Sequence, residues 1–213
     1  MVRLPARLLV VTDRLGAPHG LPAALDAALA GGARWVWFRE RDLPGDARRR
    51  LGETVACRVH DAGARLTVGG DPALAAELGA DGVHLPAGCD AAAIKRARGF
   101  LHEAALVGVS AHSVAEIEAA AAAGADYATL SPVFETPSKP GYGPALGVEG
   151  IRDAAGRAGR MPVLALGGVH PERAAGLIAA GAAGIAVMGG IMSVPDPAAA
   201  LKAYASALAP LSP

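Results

Sequence analysis

The chain has 213 residues, 52% of them hydrophobic, and its 20 basic side chains are balanced by 20 acidic ones. This length suits one domain over residues 1–213 with a sizeable core. The neutral balance, without a basic run or an aromatic-studded stripe, excludes a nucleic-acid partner and fits a metabolic enzyme. Aromatics are only 4%, so the expected core is aliphatic, with Ala-rich helices packed on Val, Ile and Leu strands.

The first apolar run, 8–12, meets Asp13 and Arg14 at once, so it reads as a strand and not as a signal peptide. A helical pattern over 21–31 leads to a second strand over 35–39. Its exit reads Trp37-Phe38-Arg39-Glu40-Arg41-Asp42. Arg39 and Arg41 stand at alternate positions, which turns both guanidinium groups to one side of an extended chain. Each can grip a phosphate or carboxylate with two parallel hydrogen bonds. The competing reading is a surface network of Arg, Glu and Asp. Next come a helix over 46–62, a strand over 65–68, a helix over 72–78 and a strand over 82–85.

His84 ends that fourth strand; Ser110 and His112 leave the fifth, 105–109, after a helix over 90–98. A histidine at a strand end is either a proton carrier or a hydrogen-bonded structural residue. A helix over 114–123 and a strand over 127–130 follow. The loop after that strand runs from Ser131 to Gly147 and carries Thr136, Ser138 and Lys139, whose hydroxyls and ammonium would hold phosphate oxygens under a lid. The last two units pair a helix over 147–158 with a strand over 163–166, and a helix over 171–180 with a strand over 184–188. Their exits read Gly167-Gly168-Val169 and Met188-Gly189-Gly190, before a final helix over 196–208. Paired glycines after the seventh and eighth strands expose backbone N–H groups to an anion, so Gly167, Gly168, Met188 and Gly189 form the expected phosphate cradle.

Eight alternating strand–helix units predict a parallel sheet with helices outside, closed into a single (β/α)8 TIM barrel of the α/β class. Gly-Ala recurs before five strands, at 32–33, 63–64, 79–80, 124–125 and 181–182. Glycine there ends a helix in the left-handed conformation. These turns belong to the bottom of the barrel, so the site is sought at the top. Residues 174–195 carry no charge over 22 positions but hold five glycines, which reads as a buried helix–strand unit and not as a membrane span. Cys57 and Cys89 are expected as free thiols in a reducing cytosol, giving a cytoplasmic location.

Several of these motifs, taken in order and spacing, resemble the thiamine phosphate synthase/TenI family. They are Phe38-Arg39-Glu40-Arg41, Gly79 to Leu85, Gly108 to Ser113, Gly124 to Tyr127, Pro132 to Thr136 and Leu166-Gly167-Gly168. The resemblance implies a thiamine-biosynthesis enzyme that takes a phosphorylated thiazole, with a homo-oligomer as a common state. The family's synthases join a pyrimidine diphosphate to a thiazole phosphate, with Mg²⁺ on the departing pyrophosphate. Its tautomerases rearrange a thiazole carboxylate phosphate without a metal. Synthases carry Asn-Asp after the third strand, with the Asp as metal ligand, where this chain has Gly69-Gly70. They also carry an acidic ligand after the fourth strand, where this chain has Pro86-Ala87-Gly88-Cys89. Asp71 and Asp90, each one place away, are the metal-ligand candidates of a synthase. Arg-Glu-Arg, Leu-Pro-Ala-Gly and the strand-eight sequence look closer to the tautomerase branch, which predicts no cofactor. Yet tautomerases place a histidine before Val-Phe-Glu-Thr, where this chain has Pro132. A tautomerase here would move the proton with His112 or His84, backed by Glu40. The readings are therefore a tautomerase first, a magnesium-dependent synthase second, and a non-catalytic thiazole phosphate binder third.

Overall fold

A computed structural model describes residues 2–136 and 144–209. The strands are β1 (Leu8–Val11), β2 (Trp35–Phe38), β3 (Arg65–Gly69), β4 (Gly82–Leu85), β5 (Leu106–Ala111), β6 (Tyr127–Leu130), β7 (Val163–Leu166) and β8 (Gly184–Val187). They pair in parallel in chain order and close through β1 on β8, giving the expected (β/α)8 barrel. The helices α1 (Leu21–Ala30), α2 (Gly45–Asp61), α3 (Pro72–Glu77), α4 (Ala91–Arg98), α5 (Val114–Ala122), α6 (Gly147–Arg157) and α7 (Pro171–Ala179) alternate with them. A short α8 (Gly189–Met192) and the long α9 (Pro197–Leu208) follow β8.

The five Gly-Ala turns behave as read. Each glycine has positive φ, between 59° at Gly79 and 108° at Gly32. The alanine after it donates its N–H five residues back, as Ala33 does to Ala28 and Ala182 to Leu177, both at 3.0 Å. That satisfies a carbonyl of the last helical turn and points the chain into the next strand. In two of these turns the following aspartate ties the barrel bottom. Asp81 accepts from the Leu66 N–H at 2.8 Å and Asp126 from the Val107 N–H at 2.7 Å.

Two elements differ from expectation. β5 continues to Ala111 because Ser110 pairs with Thr129 and Ala111 with Leu130 in the ladder. The glycine segment after β8 is not a loop but α8, in which the Ile191 and Met192 N–H groups bond the Met188 carbonyl. The uncharged 174–195 segment divides into α7, β8 and α8, and no helix among the described residues is long and apolar enough to cross a membrane.

The core has two layers. Between barrel and helices lie mainly Val, Leu, Ile and Ala, with Phe38 and Tyr204 among them. Inside the barrel, Trp35, Trp37 and Tyr127 join Leu9, Val11, Leu164 and Ala186. Strand glycines make the room. A Cβ on Gly108 would stand 2.2 Å from the Tyr127 ring. Three aromatics thus share the barrel interior with aliphatic side chains, in room that strand glycines leave.

Candidate active site

A cavity of about 660 Å³ opens at the C-terminal ends of the strands. Arg39 and Arg41 line one side, together with Trp37 below them. Gly167, Gly168, Met188 and Gly189 line the other, and Ser110, His112, Ser131 and Thr136 lie between. Ser138 and Lys139 lie outside the described residues.

The arginine side is built by β2. Alternation turns Arg39 and Arg41 into the cavity and sends Glu40 the other way, where it is 5% exposed. Glu40 accepts from the Arg14 N–H at 3.2 Å and pairs with the Arg14 guanidinium at 3.7 Å. Expected as a proton carrier, Glu40 instead fastens the β1 and β2 exits together and does not line the cavity. The Thr12 hydroxyl, accepting the Arg39 N–H at 3.0 Å, completes that fastening. Partial burial lowers the Arg41 pKa, and the charges of Arg39 and Arg48 lower it further. Among the described residues no carboxylate pairs with Arg39 or Arg41. Two guanidinium groups without a carboxylate partner among the described residues can receive an anion on this wall.

The glycine side owes its composition to a close approach. Gly167 and Gly168 have φ of 96° and 62°. A Cβ on Gly168 would stand 2.4 Å from the Glu135 carbonyl oxygen, and one on Gly167 3.0 Å from the Pro132 Cα. The β6 exit lies across them, with the Val133 N–H on the Leu166 carbonyl and the Phe134 N–H on that of Gly167, both at 2.9 Å. Across the gap, the N–H groups of Gly189 and Gly190 begin α8 and have no place in its ladder. The Tyr204 hydroxyl, donating to the Val169 carbonyl at 2.9 Å, stands where a Cβ of Gly190 would be.

The histidines separate. His112 lines the cavity, its Nδ1 donating to the Ser131 carbonyl at 2.7 Å. Its backbone N–H donates to Glu116, whose own N–H is capped by the Ser113 hydroxyl. That Ser-x-x-Glu pattern is a helix-start signal legible in the sequence. His84 does not reach the cavity. It is fully buried, with Nδ1 3.1 Å from the Tyr127 hydroxyl and Nε2 3.0 Å from the Ser110 hydroxyl. Burial, then the charge of Arg41, pushes its pKa down to about 3. His84 stands behind Ser110 and does not itself face the cavity. It positions Ser110 instead.

The metal-ligand candidates are corrected in the same way. Asp71 caps α3, accepting from the Leu74 N–H at 2.9 Å, and pairs with Arg48 at 3.5 Å. Asp90 caps α4 through the Ala93 N–H at 2.7 Å. Both carboxylates are committed to helix N-termini, and neither lines the cavity. Gly69 and Gly70 bring no oxygen-bearing side chains, and Arg41 and Arg48 stand beside them. This donor set does not fit Mg²⁺, which requires carboxylate oxygens. Among the described residues no group of three His, Cys, Asp or Glu is placed to hold a metal.

Sequence reading missed Trp37, His170 and Ser193 in the cavity wall. Trp37 was open to detection, since it lies two residues before Arg39 and shares its face. Its indole Nε1 is buried without a hydrogen-bond partner, and its ring lies 4.0 Å from that of His84. His170 sits just before the Pro171 that starts α7. Ser193, after α8, reaches back toward Asp13.

Known proteins resemble this chain in sequence and in fold. The family described as thiamine monophosphate synthase matches residues 8–191. The putative thiamine-phosphate synthase of Geobacter sulfurreducens is 38% identical over 211 residues, covering 99% of this chain and 98% of that one. The thiamine biosynthesis bifunctional protein ThiM/ThiE of Symbiobacterium thermophilum is 42% identical over 184 residues; the match covers 85% of this chain and 37% of that protein. Among solved structures, thiamine phosphate pyrophosphorylase from Pyrococcus furiosus superposes with a TM-score of 0.82 at 27% identity, covering 95% of each chain. With the match spanning the barrel from β1 to α8, the chain belongs to the thiamine monophosphate synthase family.

Proposed function

We propose that the chain is a thiamine phosphate synthase, coupling hydroxymethylpyrimidine diphosphate to thiazole phosphate with release of pyrophosphate. The observation that carries this is one cavity lined by Arg39 and Arg41 on one wall and by Gly168 and Gly189 on the other, which we read as two anion sites. A coupling of two phosphorylated substrates needs both. In this reading the thiazole phosphate rests on the glycine side and the diphosphate on the arginines. The thiazole nitrogen attacks the methylene carbon of the pyrimidine. The bond from that carbon to the diphosphate oxygen breaks, and both electrons leave on pyrophosphate. Arg39 and Arg41 stabilise the charge that develops there. Ser110, held by His84, bounds the space between.

This replaces the tautomerase reading that the Arg-Glu-Arg and strand-eight motifs favoured. Pro132 lines the cavity where a tautomerase carries its proton-moving histidine, and of His84 and His112 only His112 lines the cavity. The relatives named above add support through their synthase names. Purified protein is offered hydroxymethylpyrimidine diphosphate with thiazole phosphate and, separately, the thiazole carboxylate phosphate tautomer. Thiamine phosphate formation is expected. Isomerisation of the tautomer without coupling, or tight product binding without either turnover, would overturn the proposal.

A further inference from the structure

We infer that the arginine wall of this cavity binds the diphosphate without a divalent cation, Arg39 and Arg41 supplying the positive charge directly. The inference rests on the synthase reading for the identity of the anion, but its physical basis is the space around Gly69 and Gly70. A Cβ built on Gly70 would lie 3.7 Å from the Arg41 Nε and 3.9 Å from its Cζ. The guanidinium of Arg41 therefore stands in van der Waals range of position 70, so the group beside that position is a cation. Next to it, a Cβ on Gly69 would stand 2.8 Å from the Trp37 Nε1. The indole fills the place of a side chain at 69. Of the two positions at which the family's synthases carry Asn and a metal-binding Asp, the first is thus filled by a ring and the second faces a cation, and neither brings a carboxylate.

The surroundings point the same way. Arg48 donates to the Gly69 carbonyl, which places a cation on the one oxygen that Gly69 offers. Its other nitrogen engages Asp71, the nearest carboxylate to these glycines in sequence. Arg41 is close enough to both Arg39 and Arg48 for their charges to weigh on it. Three guanidinium groups in one corner repel a dication and attract a polyanion. A guanidinium remains protonated at any working pH and meets phosphate oxygens in a planar fork, so it neutralises charge as a metal does while adding hydrogen bonds. At Gly70, φ is 71°, a conformation that suits glycine and keeps the backbone clear of Arg41.

The test is calorimetric binding of inorganic pyrophosphate to the metal-stripped protein, in EDTA and in excess Mg²⁺. Binding in EDTA is expected, with Mg²⁺ leaving it unchanged or weakening it by complexing the ligand. Arg41→Ala should weaken binding in EDTA by roughly ten- to hundredfold, and Arg41→Lys should restore only part of the loss because the fork is gone. Circular dichroism of each variant checks that the barrel is intact. Pyrophosphate binding that appears only with Mg²⁺ would overturn the inference, as would Arg39→Ala and Arg41→Ala variants that are folded and bind like the parent. Coupling assays run in parallel keep the two proposals apart. Product formed only with Mg²⁺ sinks metal independence and spares the synthase. Metal-free pyrophosphate binding with no product under either condition sinks the synthase and spares the metal-free site.

Discussion

The imidazole of His84 sits between the hydroxyls of Tyr127 and Ser110, with Thr129 3.3 Å from its Nε2 and the Trp37 ring against its face. Because its folded pKa is about 3, below an unfolded value of about 6.5, the unfolded chain binds a proton that the folded one refuses. The stability contribution is therefore complete above about pH 6.5 and is lost as pH falls toward 3, at up to about 1.4 kcal/mol per pH unit. His84→Gln, which can bridge the same hydroxyls without titrating, should narrow or reverse its stability deficit between pH 7 and pH 4. Parallel urea-unfolding curves for the two proteins over that range would refute this account. Gly69 offers a second test. Gly69→Ala places a methyl 2.8 Å from the Trp37 Nε1, and displacing a buried ring costs about 1–3 kcal/mol. Thermal unfolding should show the loss, and unchanged stability would mean that the indole has room to move.

Elements carry the site to the rim and fix its sides. The caps of α3 and α4 absorb the two carboxylates that spacing alone made candidate metal ligands. Asp90→Ala should lower stability by about 1 kcal/mol and leave pyrophosphate affinity unchanged, while Asp90→Asn, a good cap, should restore the stability. A metal-dependent loss of affinity in Asp90→Ala would return this residue to the site. The β6 and β7 exits form one unit, because the β6 backbone lies on Gly167 and Gly168 and its far end is tied at 2.8 Å by the Gly147 N–H to the Val133 carbonyl. Gly168→Ala combines a positive φ with a Cβ 2.4 Å from the Glu135 carbonyl oxygen. It should displace the β6 exit and weaken thiazole phosphate binding at least tenfold, a cost of about 1.4 kcal/mol or more. A folded Gly168→Ala with full affinity would show that this exit does not hold the phosphate side together.

At the scale of the molecule, the barrel interior joins structure to site through one polar chain. Trp35 donates to Thr67 at 2.9 Å and packs edge-on against Tyr127 at 5.0 Å. Tyr127 meets His84, and His84 holds Ser110 at the cavity floor. Tyr127→Phe leaves the His84 Nδ1 without its buried partner, which costs about 1–3 kcal/mol. For a chain of this size that is a fall of about 2–4 °C in Tm per kcal/mol. If Ser110 is positioned through this chain, the same variant should also alter KM for the coupling reaction. A Tm shift with unaltered kinetics would confine the network to stability.

The barrel was legible from sequence because its signals are local. Apolar runs and helix patterns alternate eight times, Gly-Ala turns recur five times, and each depends only on neighbours along the chain. The direction of Arg39 and Arg41 followed from strand alternation, and the glycine pairs followed from their place after β7 and β8. Tertiary structure decided what local pattern cannot express. Glu40, Asp71, Asp90 and His84 bear the same ionisable groups wherever they stand, and only packing against Arg14, the α3 and α4 N-termini and Tyr127 turned them into fasteners, caps and a buried support. Likewise, Gly69-Gly70 reads in sequence as two missing side chains. In three dimensions Trp37, some thirty residues earlier, fills the space at 69 and Arg41 stands beside 70, because parallel pairing of β2 with β3 brings the two exits side by side.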